Sequence, residues 1–208
     1  MRLIDDLKWR YATKLFDPQK KVSEQDIELL KEAIRLSPSS LGLQPYVIFE
    51  ISDSKTRMQL REVSWGQSAI TDASNLFVFC NMTNISKEYL EGFAELQRKE
   101  RGSDEKSKES YLSFVTGLLS GMSPEEIQLW SSKETSLAVG IALAACAELR
   151  IDACPIGGFD PAEYNRILNL PIQNLNATLA LPVGYRSADD KYQFAQKVRK
   201  PMDQLFRN

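Results

Sequence analysis

The stretch Leu76 to Met82, with the sequence LFVFCNM, is the feature that most restricts how this chain can fold. It is almost continuously apolar and lacks the polar–apolar alternation of a strand with one face in water. Such a run predicts a central strand that is buried on both faces. The rest of the chain must therefore cover both faces of the sheet that contains it.

The remaining pattern predicts more helix than strand. Apolar residues at helical spacing predict a helix over about 24–36. The arrangement Ser123-Pro124-Glu125-Glu126 predicts the start of another helix, which runs to about Leu149. Aromatic and β-branched residues predict strands over 46–52 and 175–183. This order predicts an α+β fold with about four strands and helices around them.

The chain is predicted to form one domain, residues 1–208, because no internal repeat or low-complexity linker interrupts it. A variable helical excursion is predicted at about 84–135, and the dense charge of both signs over about 86–108 predicts that this part is exposed. The apolar stretch Leu137–Leu149 follows it and is too short to span a bilayer. It is predicted to form a buried core helix.

Composition excludes several classes of function. The chain has 26 basic and 28 acidic residues and a net charge of −2, which argues against nucleic acid or anionic lipid as a main partner. It has no histidine, which excludes Ser-His-Asp and Cys-His catalysis and His-ligated metals. Its three cysteines form no CxxC pair, so reduced thiols and no metal site are expected. Because the sequence shows neither an export signal nor a membrane-spanning segment, a cytoplasmic protein is predicted.

The loop Ser37–Pro45 separates a predicted helix from a predicted strand. It contains three serines, one glycine and two prolines. These residues restrict the backbone and leave hydroxyl and amide N–H groups for a ligand. The composition therefore predicts a ligand-binding loop.

Two pairs of basic residues lie near opposite ends of the chain. Arg10 and Lys14 form one pair, and Lys197 and Arg199 form the other. Guanidinium and ammonium groups in combination suit a phosphate, although a solvated basic face is the alternative for the first pair. Pro155–Gly158 could let the backbone approach a flat ring system, or its glycines could serve a turn with positive φ.

Five ordered motifs carry a resemblance to a known family. They are RYATKLFD at 10–17, SPSSLGLQP at 37–45 followed by a strand, Gly66-Gln67, PIGGFD at 155–160, and Lys197-x-Arg199. Together they make the chain similar to the nitroreductase family of FMN-dependent NAD(P)H oxidoreductases. The resemblance spans almost the whole chain and is weak only at about 84–135, which in that family is the variable part over the active site.

The resemblance implies a nitroreductase-like fold with a mostly antiparallel sheet of four to five strands. It also implies an intertwined homodimer with one FMN at each of two interface sites. A hydride would pass from NADH or NADPH to flavin N5 and then to a nitroaromatic, quinone or flavin acceptor. The alternatives are an FMN-binding storage protein without turnover, or a relative with other flavin chemistry such as dehalogenation or flavin breakdown.

The same resemblance implies which residues contact FMN. They are Arg10, Tyr11, Ala12, Lys14, Pro38, Ser39, Ser40, Gln67, Pro155, Ile156, Gly157, Gly158, Lys197 and Arg199. The four bases among them would hold the phosphate, the ribityl chain and the pyrimidine edge, and Pro38 to Ser40 would reach the flavin of the opposite subunit. Lys14 is also predicted to stabilise negative charge at the ring edge. No side chain is predicted to act as an acid or base.

The chain departs from the family pattern at three positions. Ala12 stands where a serine is common, and Gly157 stands where relatives with PIEGFD have a glutamate. Ala69 stands where some members have a second lysine near the ring edge, which leaves the redox potential and the preferred acceptor open. Tyr111 and Phe114 are the candidates for the substrate pocket, with ordinary helix packing as the alternative.

Overall fold

The computed structural model describes residues 2–207 and contains both helices and strands. The helices are α1 Arg2–Trp9, α2 Glu24–Arg35, α3 Ser54–Glu62, α4 Ala69–Asp72, α5 Lys87–Arg101, α6 Glu105–Leu119, α7 Pro124–Glu148, α8 Pro161–Ile167 and α9 Met202–Leu205. The strands are β1 Tyr46–Glu50, β2 Asn75–Met82, β3 Asp152–Ala153 and β4 Leu175–Gly184. Short 3-10 turns occupy Ser40–Gly42, Pro171–Gln173 and Lys191–Phe194. The predicted α+β class is confirmed.

The four strands form one antiparallel sheet in the order β1-β2-β4-β3. β2 pairs with β1 along one edge and with β4 along the other, which confirms the predicted central strand. A register shift between Phe79 and Cys80 interrupts the pairing with β4. β3 has only two residues and pairs with the end of β4, where Asp152 lies opposite Gly184.

Side chains of β2 alternate between two hydrophobic clusters. Leu76, Val78 and Cys80 belong to a cluster that includes residues of α3, α4 and α8. Phe77 and Phe79 belong to a second cluster, which includes residues of α2 and α7. All five side chains are at most 2% exposed. Because successive residues of a strand point to opposite faces, this division shows that β2 is buried on both faces, as predicted.

Helix α7 begins where the sequence predicts. The hydroxyl of Ser123 accepts from the N–H of Glu126 at 3.2 Å, and the Glu126 carboxylate accepts from the N–H of Ser123 at 2.7 Å. This reciprocal cap satisfies two of the N–H groups that a helix start leaves without partners. The helix then continues for 25 residues. Within residues 2–207, no helix is both long and apolar enough to cross a membrane.

The prediction that Leu137–Leu149 is a buried core helix is wrong for one of its faces. Ala138, Ala142 and Cys146 are buried against the sheet. Leu137 is 52% exposed and Ile141 is also exposed in the single chain. A run that is apolar on all sides gives no sign of which side faces the core, and here one side faces outward.

Helices α5 and α6 form a hairpin that carries its own small core. Gly102 ends α5 in a left-handed conformation with φ of 62°, which glycine adopts without steric cost. The Asp104 carboxylate then caps α6 by accepting from the N–H of Ser107 at 2.9 Å. Leu90 and Val115 of the hairpin pack with Leu43 in a third hydrophobic cluster. The charged excursion is therefore attached to the loop that follows α2.

We predict that Gly184→Ala destabilises the protein. A Cβ at this position would lie 2.9 Å from the backbone N of Ser74 and 3.1 Å from Phe16 Cδ1, so the backbone must shift. Overpacking of this kind costs about 1–3 kcal/mol. The matched control is Gly117→Ala on α6, where nothing lies within 4 Å of the new methyl group. Because alanine favours a helix, the control should gain about 0.5–1 kcal/mol. Urea unfolding of both variants tests this, and equal midpoints would contradict it.

Candidate functional site

The segment that carries Arg10 and Lys14 is held against the protein by Asp190. This carboxylate accepts from the N–H of Lys14 at 2.8 Å, from the N–H of Leu15 at 3.2 Å and from the hydroxyl of Tyr11 at 2.9 Å. Burial raises the pKa of Tyr11 to about 12, together with its hydrogen bond to Asp190. The Tyr11 hydroxyl therefore uses its hydrogen within the fold, and toward a ligand this hydroxyl can only accept.

Two of the predicted phosphate-binding cations lie together, and the charge of a third, Arg199, acts on both. The Lys197 ammonium donates to the Leu7 carbonyl at 2.9 Å and to the Arg10 carbonyl, which brings the C-terminal segment to the end of α1. Burial lowers the pKa of Arg10, and the charge of Arg199 lowers it further. The pKa of Lys197 is lowered by burial and by the charges of Arg10 and Arg199. Among residues 2–207 the ion pairs include none of these three cations, so their repulsion favours a bound anion.

Lys14 lies beside a buried thiol. A backbone bridge between Ala12 and Ala153 brings the N-terminal segment to β3. The Lys14 ammonium then lies 3.9 Å from Cys154 Sγ. Burial raises the pKa of Cys154, while the neighbouring Lys14 and Arg10 partly oppose this shift. The thiol is therefore neutral at pH 7 and does not cancel the positive charge of Lys14.

The predicted Gly-containing segment lies next to Gln67. Its side-chain amide donates to the Gly158 carbonyl at 2.9 Å and to the Ser64 carbonyl at 3.0 Å. The amide hydrogens are thus used, which leaves the side-chain oxygen for a ligand. Ile156 exchanges two backbone hydrogen bonds with Ala180, at 2.8 and 2.9 Å, and this anchors the segment to β4.

The glycine at 158 lies against the Trp65 indole, which the sequence does not reveal. Neither Gly157 nor Gly158 has a positive φ, so the interpretation as a positive-φ turn is wrong. A Cβ at Gly158 would lie 2.4 Å from Trp65 Cζ3. Close approach of the indole, not backbone conformation, therefore explains this glycine. Trp65 itself is 75% exposed and has a φ of 54°, and nothing in its sequence context singles it out.

The serine loop lies apart from these groups in the single chain. The N–H of Ser40 donates to Glu134 at 2.8 Å and its hydroxyl donates to the same carboxylate at 2.5 Å. Ser39 Oγ accepts from the N–H of Gln44 at 2.8 Å. Pro38 is exposed. These side chains thus make their hydrogen bonds with α7 and with their own loop, and not with the N-terminal or C-terminal cations.

The two substrate candidates differ in environment. The Tyr111 hydroxyl donates to the Leu41 carbonyl at 3.0 Å, and its ring lies 6.2 Å from that of Phe93. These contacts favour the packing interpretation for Tyr111. Phe114 lies on the outward side of α6 and is 61% exposed.

Sequence reasoning missed two buried acids that organise the site, Asp190 and Glu134. Each is surrounded by polar residues in the sequence, where an acid is typical of a solvated surface. Only their partners, which are far away in the chain, distinguish them. Within residues 2–207, no group of three or more Cys, Asp or Glu residues has the arrangement of a metal site.

Comparison with known proteins identifies the class. Residues 7–185 match the model of the nitroreductase family. A Staphylococcus aureus protein, provisionally named an NAD(P)H nitroreductase, is 32% identical over 195 residues, which cover 90% of this chain and 87% of that protein. The chain therefore belongs to the nitroreductase family and is in class a nitroreductase-type oxidoreductase.

Solved structures share the fold. A structure described as a nitroreductase, ydfN of Bacillus subtilis, has a TM-score of 0.88 and 16% identity, covering 99% of this chain and 97% of that chain. A nitroreductase from Exiguobacterium sibiricum, solved in complex with FMN, has a TM-score of 0.84 and 15% identity, covering 99% and 96%. At these identities the likeness concerns the fold alone, and it confirms the nitroreductase-like architecture.

We predict that Asp190→Asn lowers the free energy of unfolding by about 2 kcal/mol at neutral pH, because the N–H groups of Lys14 and Leu15 lose a charged acceptor. Burial alone would raise the pKa of Asp190, but these N–H groups outweigh it and the pKa lies below its usual value. A carboxyl group whose pKa is lower in the folded state stabilises the protein at pH values above its ordinary pKa, which applies in the unfolded state. This stabilisation is lost as the pH falls through the pKa of the folded state.

The wild-type protein should therefore lose stability more steeply than Asp190→Asn below about pH 5. Urea unfolding between neutral and acid pH measures both slopes. Asp189→Asn is the matched control, because Asp189 is exposed and should change the unfolding free energy by less than about 0.5 kcal/mol. Parallel pH profiles for the wild type and Asp190→Asn would contradict the prediction.

Proposed function

We propose that this protein is an FMN-dependent NAD(P)H oxidoreductase that reduces nitroaromatic, quinone or flavin acceptors. The observation that carries the proposal is the group of Arg10, Lys197 and Arg199, three cations whose charges act on one another and which form no ion pair among residues 2–207. Bringing like charges together is unfavourable unless an anion occupies the space between them. A phosphate ester of a cofactor meets this need in a way that an uncharged ligand does not.

The other predicted contacts fit the rest of FMN. Lys14 and the free side-chain oxygen of Gln67 offer a positive charge and an acceptor, which suit the polar edge of a flavin ring. In the segment from Pro155 to Gly158 the Ile156 side chain is buried in the core, so Gly157 and Gly158 offer a backbone surface without side chains. Bound FMN would supply the hydride chemistry between the nicotinamide and the acceptor.

The role assigned to Lys14 is electrostatic. Its charge is fixed beside a thiol that burial keeps neutral, so it can stabilise negative charge on a group bound at that edge. Ala12 removes one hydroxyl but keeps its backbone bridge to Ala153, so the position of the segment does not depend on a serine. Gly157 likewise offers only its backbone to a ligand.

The proposal is tested with the purified protein and added FMN. A yellow protein that retains one FMN per chain is expected, with oxidation of NADH or NADPH that depends on a quinone or nitroaromatic acceptor. A protein that takes up no FMN would overturn the proposal. FMN binding without acceptor-dependent turnover would indicate the storage function instead.

We predict that Arg199→Ala weakens FMN binding about 10- to 100-fold. Loss of one hydrogen bond to a charged group corresponds to about 1.5–3 kcal/mol. Titration of the apoprotein with FMN, followed by quenching of flavin fluorescence, gives the dissociation constant. Arg166→Ala is the control, because Arg166 is an exposed arginine on α8 that pairs with Glu163. An unchanged constant for Arg199→Ala would show that the C-terminal segment does not contact the cofactor.

We also propose that the enzyme is a homodimer. The outward face of α7 presents Leu129, Leu137 and Ile141, and all three are exposed in the single chain. Three large apolar side chains on one helix face are typical of an interface. The same helix carries Glu134, which binds the serine loop. A second copy packed on α7 would therefore lie close to Ser39 and Ser40, as the predicted contact with the opposite flavin requires.

The C-terminal segment supports an intertwined arrangement. After Lys197 it leaves the body of the chain, and Val198 is 84% exposed, with Met202 and Phe206 also exposed. A groove of about 890 Å³ lies between α2, β1 and α5, and its lining includes Ile34, Tyr46, Ile48, Phe93 and Leu96. We propose that the segment 201–206 of a second copy occupies this groove. Within residues 2–207, β1 is the edge strand on that side of the sheet, and it borders the groove.

We predict that Leu137→Glu yields a monomer that no longer retains FMN, because a carboxylate in an apolar interface is not solvated. Size-exclusion chromatography with light scattering gives the mass, and the absorbance of the eluted protein gives the flavin content. Ile172→Glu serves as the control, since Ile172 is exposed but lies in the turn before β4. A stable monomer that keeps its FMN would contradict the dimer-dependent site.

A further inference from the structure

The corner that contains Ser39 and Ser40 has a backbone that needs external support. Leu41 and Gln44 have φ values of 61° and 46°, in the left-handed region that residues with a Cβ rarely adopt. Gly42 between them has φ of 73°. Such conformations persist where surrounding contacts hold them, and they are concentrated at functional sites. The contacts that hold this corner are therefore informative.

Glu134 provides the most buried of these contacts. Its side chain lies on α7, the residue is only 5% exposed, and among residues 2–207 its carboxylate forms no ion pair. One carboxylate oxygen accepts from the N–H of Ser40 at 2.8 Å and the other accepts from its hydroxyl at 2.5 Å. A buried carboxylate without a cation is costly, so these two charge-assisted hydrogen bonds are what make it tolerable.

These bonds determine what each serine can offer to a ligand. Ser40 uses both of its hydrogen-bond donors on Glu134, so only the lone pairs of its hydroxyl remain. Ser39 Oγ accepts from the N–H of Gln44 at 2.8 Å, and this contact does not use the hydrogen of the Ser39 hydroxyl. Ser39 is therefore the serine that can donate to a ligand.

Two tyrosines of the α5–α6 hairpin complete the support. The Tyr111 hydroxyl donates to the Leu41 carbonyl at 3.0 Å, and the Tyr89 hydroxyl donates to the Leu43 carbonyl at 2.6 Å. They fix the carbonyls on the far side of the corner from Glu134. The corner is thus bound from α5, α6 and α7 together.

We propose that Glu134 is a positioning residue, which anchors Ser40 and thereby presents the hydroxyl of Ser39 as the hydrogen-bond donor to the flavin of the opposite subunit. This inference rests on the proposed function and assigns different roles to two adjacent serines. Ser39 contacts the cofactor directly. Ser40 holds the corner in place through its two hydrogen bonds to Glu134.

The test compares FMN dissociation constants of apoproteins in a double-mutant cycle. Glu134→Ala should weaken FMN binding at least tenfold. Glu134→Gln should stay within about threefold of wild type, because a glutamine oxygen can accept from the Ser40 N–H while its NH2 group donates to the Ser40 hydroxyl. Glu109→Ala is the control, because Glu109 is an exposed glutamate on α6, away from α7.

Substitutions of the two serines distinguish a positioning role from direct contact with the cofactor. In the Glu134→Ala background, Ser40→Ala should add less than a twofold loss, and the loss from Ser39→Ala should be smaller than in the wild type, because the Ser39 hydroxyl is no longer presented to the flavin. Hydrogen exchange of the backbone amides over residues 39–43 of the apoprotein should be faster in Glu134→Ala and unchanged in Glu134→Gln. This measurement reports on the order of the corner in the absence of flavin.

Three results would overturn the inference. The first is a dissociation constant for FMN in Glu134→Ala that lies within twofold of the wild-type value. The second is a full additional loss of FMN affinity from Ser40→Ala in the Glu134→Ala background. The third is a larger loss of FMN affinity from Ser40→Ala than from Ser39→Ala in the wild-type background. The last comparison remains decisive if Glu134→Ala fails to fold. Wild-type protein that binds no FMN would instead overturn the proposed function and this inference together.

Discussion

Because both faces of β2 are buried, the backbone N–H and C=O groups of this strand cannot be satisfied by water and must be paired within the protein. β1 and β4 provide that pairing along the two edges. The sheet ends at β1 on one side and at the two-residue β3 on the other. The bridge from Ala12 to Ala153 brings the N-terminal cations to the β3 side, and the apolar groove lies at the β1 side.

Buried acids decide where the cations of the site remain free. Asp152 is buried and accepts from Arg186 Nε at 2.8 Å and from the Arg186 N–H at 2.9 Å. The Arg186 guanidinium also lies 4.6 Å from the centre of the Trp9 ring, with Arg150 at 5.0 Å from the same ring. These arginines are used in holding α1 to the body. Arg10 directly follows α1 and forms no ion pair within residues 2–207, so its charge is available to a ligand.

The two loops proposed to contact the flavin have strained backbones. Leu41 and Gln44 in one loop and Trp65 in the other are non-glycine residues with positive φ. Each such conformation costs on the order of 1–3 kcal/mol, which the surrounding contacts must supply. Glu134 does so for the first loop, and the hydrogen bonds of Gln67 to Ser64 and Gly158 do so next to the second. Both loops are thus ordered before a ligand binds, which reduces the entropy that binding costs.

The sequence by itself determined the features that depend on neighbouring residues. The apolar run of β2, the reciprocal cap at Ser123 and the ordered motifs of the family are local patterns. The structure confirms the buried strand and the helix start that the first two predicted, and the comparisons confirm the family that the motifs predicted. Only the tertiary structure decided which acids hold the site, since Asp190 meets Lys14 across 176 residues and Glu134 meets Ser40 across 94. It also decided that Leu137 faces outward, because helical spacing does not distinguish a face that packs on the sheet from one that remains exposed on the chain.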